Sequence, residues 1–191
     1  MSEPDQRSER ERRIAGDLYR ADDPELQREL LRAAELMFEY NHSGPDNVAV
    51  RQRILSELMG SVGPGTEIRP PLYCDYGYNI RIGARTFVNY GLVALDVATI
   101  TIGEDVQIGP NVQLLTATHP VDPESRRQKW EYARPIRIGN NVWIGAGAIV
   151  CPGVTIDENS VIGAGAVVVR NLPRNVVAAG NPARVIRQIQ E

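Results

Sequence analysis

From Ile138 onward the chain falls into consecutive six-residue units: IGNNVW, IGAGAI, VCPGVT, IDENSV, IGAGAV and VVRNLP. Ile138, Ile144, Val150, Ile156, Ile162 and Val168 open them, and Val142, Ala148, Val154, Ser160, Ala166 and Leu172 stand fifth. The rhythm is already present at Ile102, Ile108 and Leu114, with Val106 and Val112 fifth, and a looser version passes through Ile82-Gly83. Six is neither the helical period nor the period of a single strand. It suits a solenoid of triangular section in which each unit forms one short flat side. The branched aliphatic points inward and stacks on its counterpart in the next coil. The small residue sits near the corner, where Gly, Asn or Asp allow the turn. An ordinary β-sandwich does not explain six units in unbroken register.

Between about residues 116 and 134 the rhythm stops for a polar, proline-marked stretch, THPVDPESRRQKWEYAR. Ile102 and Ile138 stay in phase across it, so it reads as an excursion from the coil. Long excursions on rigid scaffolds are frequently functional. The first sixty residues read differently, as helix. Asp23-Pro24-Glu25 is a start signal, and Leu26, Leu30, Ala33 and Met37 share one face after it. Ser43-Gly44-Pro45 ends this helix. A second is expected from a cap at Asp46, with Val50, Ile54, Leu55 and Leu58 inside, and a short earlier one around Ile14, Leu18 and Tyr19. The expected organisation is therefore a helical segment over 1–60 and a β-helix over 61–191, with the excursion and a C-terminal tail.

The net charge of −3, with both signs interspersed, gives no reason to expect nucleic acid or a membrane surface as partner. No apolar run approaches the length of a transmembrane helix, and the polar stretch Met1–Arg13 lacks the apolar core of a signal peptide. Cys74 and Cys151 read as two isolated reduced thiols. A cytoplasmic location is the expectation.

These units, with YNHS (40–43), CDYGYNI (74–80), ATHP (117–120), IGNNVWIG (138–145) and GNPARVI (180–186), resemble the maltose/galactoside O-acetyltransferases over roughly residues 14–189. CDYGYNI is closer to the maltose branch, since the galactoside branch has serine where Asp75 stands. The resemblance implies a left-handed parallel β-helix, although the general rule for parallel crossovers favours the right hand. It also implies a homotrimer with active sites between subunits, acetyl-CoA as co-substrate and no metal.

Moving an acetyl group from a thioester to a hydroxyl requires a base for the hydroxyl proton and donors for the tetrahedral oxyanion. The chain has two histidines. His119, in ATHP at the start of the excursion, matches the family's catalytic base. His42, at a helix end, reads as structural. The resemblance assigns Asn89 to acetyl-CoA and the transition state, and offers the backbone N–H of Ala146, where the family often has serine, as a further oxyanion donor. Asp75 and Asp96 match positions at or beside acceptor contacts, Asp96 with a one-residue ambiguity. An acidic acceptor contact of the galactoside branch falls on Ala21, next to Asp22 and Asp23. For coenzyme A the matching positions are Ala164 through its backbone, Val169 in place of a frequent threonine, Trp143 beside the pantetheine or acceptor, and Arg170, Arg184 and Arg187 for the phosphates. The expected reaction is acetyl transfer to glucose, maltose or a related sugar by direct attack. An acetyltransferase for another acceptor, such as an antibiotic or an amine, fits the same residues. A zinc carbonic anhydrase needs three imidazoles, and the coil offers only His119. A non-catalytic scaffold leaves the combination of His119, Asn89 and the arginines unexplained.

Overall fold

In a computed structural model, which describes residues 6–190, the hexapeptides form a parallel β-helix with three flat sides. Met1–Asp5 of the polar N-terminal stretch, and Glu191, lie outside the described residues. The first side stacks Ser61–Val62, Ile80–Ile82, Ile100–Ile102, Ile136–Ile138 and Thr155–Ile156. The second stacks Glu67–Ile68, Phe87–Val88, Gln107–Ile108, Trp143–Ile144, Val161–Ile162 and Val176–Ala179, and Arg184–Gln188 closes its edge in antiparallel sense. The third stacks Leu72–Cys74, Leu92–Leu95, Gln113–Leu115, Ile149–Val150 and Val167–Val168. Ile102 pairs directly with Ile138, so the excursion leaves the register intact.

The opening aliphatics Ile138, Ile144, Val150, Ile156, Ile162 and Val168 are all buried, and so is every fifth-position residue. Position five is thus a second inward column, not merely a corner filler. Ser160, the polar member, is satisfied by donating to the Pro173 carbonyl at 2.8 Å. Position four makes the corner. Asp105, Asn111, Asn141, Gly147, Gly153, Asn159 and Gly165 all have positive φ there. Only Gly, Asn and Asp adopt that conformation at low cost, which explains the composition of the units.

Helices cover the first end of the coil. Helix α1 (Glu9–Ala15) starts with a capping box of Ser8 and Glu11 and stops at Gly16. It is shorter than the expected helix. Leu18 lies outside it, 44% exposed, and Tyr19 belongs to a strand, Tyr19–Arg20. Helix α2 (Pro24–Asn41) is capped by Asp23, which accepts from the Glu25 and Leu26 N–H groups. Helix α3 (Val48–Leu58) begins one residue later than expected, with Asn47 rather than Asp46 at the cap position and no side-chain cap bond. Val50, expected inside, faces outward, while Ile54, Leu55 and Leu58 are buried in the same core as Leu72 and Ile80. Tyr40 docks α2 on the coil by donating to the Ile68 carbonyl at 2.6 Å.

The excursion is itself folded. Ala117–Thr118 and Trp130–Ala133 form an antiparallel hairpin with a short helix α4 (Pro123–Arg127) at its tip. Tyr19–Arg20 adds a third strand, with Tyr19 opposite Glu131. The N-terminal segment and the excursion are therefore one layer.

Candidate active site

The residues predicted to serve chemistry divide between two corners of the coil. Asn89, Ala146 and Ala164 lie on the turns between the second and third sides. Asp75, Asp96, His119, Val169 and Arg170 lie on those between the third and the first.

At the first of these corners a groove of about 550 Å³ is lined by Asn89, Gly109, Trp143, Ala146, Gly163 and Ala164 among others. The ladder explains its shape. Val88, Ile108, Ile144, Ile162 and Ala178 are register partners in successive coils, so Asn89, Gly109, Gly145, Gly163 and Ala179 form the next row outward. At the edge, Arg184 stands opposite Ala179 and Arg187 opposite Val177, across a bulge. Val177 and Ala179 share the outer face, so both arginines do too. The row runs from an amide at Asn89 to two guanidinium groups, five strand spacings away, or roughly 24 Å. Glycine is required in its floor. A Cβ on Gly109 would stand 2.7 Å from the Ala146 nitrogen, and one on Gly145 2.6 Å from the Ala164 nitrogen. Among the described residues, neither of those two N–H groups is given a partner in the chain, and both alanines are exposed. Trp143 is 56% exposed on the same face. Asn89 accepts the Tyr90 N–H on Oδ1 at 2.8 Å, which leaves its NH₂ group free to donate into the groove.

At the other corner a pocket of about 460 Å³ is lined by Ala21, Asp22, Gln27, His119, Arg126, Lys129 and Glu131. Nδ1 of His119 lies 3.2 Å from the Trp130 carbonyl. A carbonyl only accepts, so Nδ1 carries a proton, and in the neutral ring Nε2 is the free base. Nε2 faces the Glu131 carboxylate at 3.9 Å. Burial pushes the Glu131 carboxyl above its ordinary range, against the pull of Arg13. Sequence reasoning missed Glu131. Its one signal is a carboxylate between two aromatic residues in the excursion.

Asp75 lines neither concavity of the single chain. Burial, with the Asp96 charge behind it, pushes its carboxyl up to about 6, and Arg13 opposes this. Asp96, expected beside the acceptor, is fully buried. Its Oδ1 accepts the N–H groups of Asp75 (3.0 Å) and Tyr76 (2.8 Å), and its Oδ2 that of Asn79 (3.2 Å). It therefore holds the turn that presents Asp75 and offers a ligand no open oxygen. Val169 and Arg170 are exposed beyond the last strand of the third side, a different face from that of Arg184 and Arg187. His42 bonds the Phe38 carbonyl of its own helix at 2.8 Å. Among the described residues, no group of three or more His, Cys, Asp or Glu could hold a metal ion. No helix among the described residues is long and apolar enough to cross a membrane.

Two family models match the chain: the maltose acetyltransferase hexapeptide capping motif over residues 12–63, and the bacterial transferase hexapeptide, with six repeats, over 135–170. A maltose O-acetyltransferase from Clostridium difficile 630 superposes with a TM-score of 0.96 at 44% identity, over 98% of this chain and all of that one. A galactoside acetyltransferase solved in complex with coenzyme A superposes with a TM-score of 0.93 at 45% identity, over 97% and 92%. The chain belongs to the maltose/galactoside O-acetyltransferase family. Nodulation protein L of Rhizobium meliloti (strain 1021) is another relative, 49% identical over 94% of this chain and 98% of its own.

In this acetyltransferase the capping-motif match ends at Gly63, where the helices meet the coil, and the six-repeat match covers the turns bearing Ala146 and Ala164. The single chain brings Asn89, Trp143, Ala146 and Ala164 together, and separately His119 with Ala21 and Asp22. It does not join the two sets.

Proposed function

We propose that the enzyme transfers an acetyl group from acetyl-CoA to a primary hydroxyl of glucose, maltose or a related sugar, with His119 as general base. The observation that carries this reading is the contact between His119 Nδ1 and the Trp130 carbonyl. The Trp130 carbonyl fixes the proton on Nδ1, so the lone pair of Nε2 faces a pocket lined with polar side chains.

The reaction follows from the two corners. Acetyl-CoA lies along the groove, with its phosphates at Arg184 and Arg187 and its thioester at the Asn89 end. The pantetheine amides find the unpaired N–H groups of Ala146 and Ala164. Nε2 of His119 takes the acceptor proton as the hydroxyl oxygen attacks the thioester carbon. The Asn89 amide donates to the oxyanion. Collapse breaks the C–S bond, and the proton passes from His119 to the departing thiolate. The sugar ester and free coenzyme A leave.

The separation of the two corners supports a homotrimer, because a neighbour's His119 corner must complete each groove. Val169 and Arg170 sit on that corner too and would reach the neighbour's coenzyme. Asp75 stands on the acceptor side, where its carboxylate accepts sugar hydroxyls. A screen of mono- and disaccharides, amines and apolar alcohols with acetyl-CoA, read by free thiol release and mass spectrometry, tests the reading. Sugar ester formation is expected. Acetylation of amines or apolar alcohols alone would overturn it.

A further inference from the structure

We propose that Glu131 determines acceptor specificity. With His119 it receives two hydroxyls of one acceptor, and so selects polyols with a second hydroxyl one or two carbons from the carbon bearing the reacting one. This rests on the sugar-acetylating reading of the same pocket.

One strand, Trp130–Ala133, supplies both halves of the arrangement. Its Trp130 carbonyl orients the imidazole, and its Glu131 carboxylate stands 3.9 Å from Nε2. The Glu131 side chain is only 14% exposed. Its Oε1 takes the O–H of Tyr19, which is fully buried and directly opposite in the antiparallel register. Oε2 receives no hydrogen bond from the described residues. Of the other charged groups on the pocket, Arg126 directs Nη1 to the carbonyls of Pro120 and Val121, and Asp22 pairs with Arg20 at 3.0 Å. Lys129 lines the pocket, and Arg13 acts on Glu131 only at longer range.

The base form of His119 and Oε2 of Glu131 are thus two hydrogen-bond acceptors side by side, with no proton between them. Oε2 opens on the pocket with no donor from the described residues, so its donor comes from outside the chain, and an acceptor hydroxyl supplies it when the pocket is filled. An acceptor with one hydroxyl offers one proton, and the reaction uses it at Nε2. A neighbouring hydroxyl on the same molecule supplies the second donor and fixes the reacting oxygen in line with the base. In a hexopyranoside attacked through its primary C6 hydroxyl, the neighbouring hydroxyl is that on C4.

The experiment compares kcat/KM for methyl glucoside and its 4-deoxy analogue in wild type and Glu131→Ala, as a cycle over enzyme and substrate. Wild type is expected to favour the parent glucoside by roughly 10- to 100-fold, the range for one hydrogen bond to a charged group. In Glu131→Ala that ratio is expected to collapse toward one. A general loss of structure would lower both rates and leave the ratio in place. Equal wild-type rates on the two glucosides would overturn the role of Glu131 without touching sugar acetylation, and this comparison needs no variant. A ratio that survives in Glu131→Ala would overturn it as well. A wild-type enzyme that acetylates neither glucoside would overturn the sugar reading and this inference together.

Discussion

At the scale of single residues, Asp75 is the proposed acceptor contact whose electrostatics are most perturbed. Its carboxyl is held at about 6, well above the usual carboxylate range, by burial and by Asp96. A folded-state pKa above the unfolded value means that ionisation opposes folding. The stability is full below pH ~4 and is lost as pH rises through about 6. Asp75→Asn is therefore expected to raise stability by on the order of 1–3 kcal/mol at pH 8 and by little at pH 4, read by denaturant unfolding at the two pH values. The same variant is expected to lose sugar turnover. Equal stability of the two proteins at pH 8 would mean that Asp75 ionises freely. Burial raises the carboxyl of the fully buried Asp96 as well, but there the turn N–H groups that bond its oxygens at 2.8–3.2 Å oppose the shift.

The elements were legible in the sequence to unequal degrees. From Ile102 onward the coil was readable, because a buried aliphatic opening each six-residue unit and a Gly, Asn or Asp at the corners specify a triangular solenoid, although not its hand. The caps of α2 were readable from Asp23-Pro24. The strand Tyr19–Arg20 was not, since two residues show no period and are held in place by a partner far along the chain, Trp130–Glu131. Glu131 was missed for the same reason, and Asp96 was placed at the acceptor because sequence order does not reveal burial. The antiparallel edge strand was hidden too, although it places Arg184 and Arg187 on one face. Replacing both with alanine is expected to raise KM for acetyl-CoA by roughly 10-fold or more while kcat changes little. Phosphates far from the reacting carbon supply binding common to ground and transition states. Steady-state kinetics with acetyl-CoA varied would check this, and an unchanged KM would reduce both arginines to surface charges.

At the scale of the whole molecule, the proposed reaction, divided between two corners, makes assembly part of catalysis. Val169 is 44% exposed on the outer surface, whereas Val161 and Val167 are half-buried within the single chain. The case for a trimer therefore rests on the separated sites more than on an apolar face. In a cyclic trimer each site takes its groove from one subunit and its base from the next. His119→Ala alone is expected to lower kcat roughly 10²–10⁴-fold with acetyl-CoA binding retained, and Asn89→Ala to lower it by about 10²–10³. The direct measurement is to coexpress the two variants with different tags, purify the mixed oligomers and assay sugar acetylation. Sites that pair an intact Asn89 with a neighbour's intact His119 are expected to restore activity, to about a third of wild type, because every mixed cyclic trimer holds one such site in three. Mixed oligomers as inactive as either variant alone, or near-normal turnover in His119→Ala itself, would contradict a shared site built on His119.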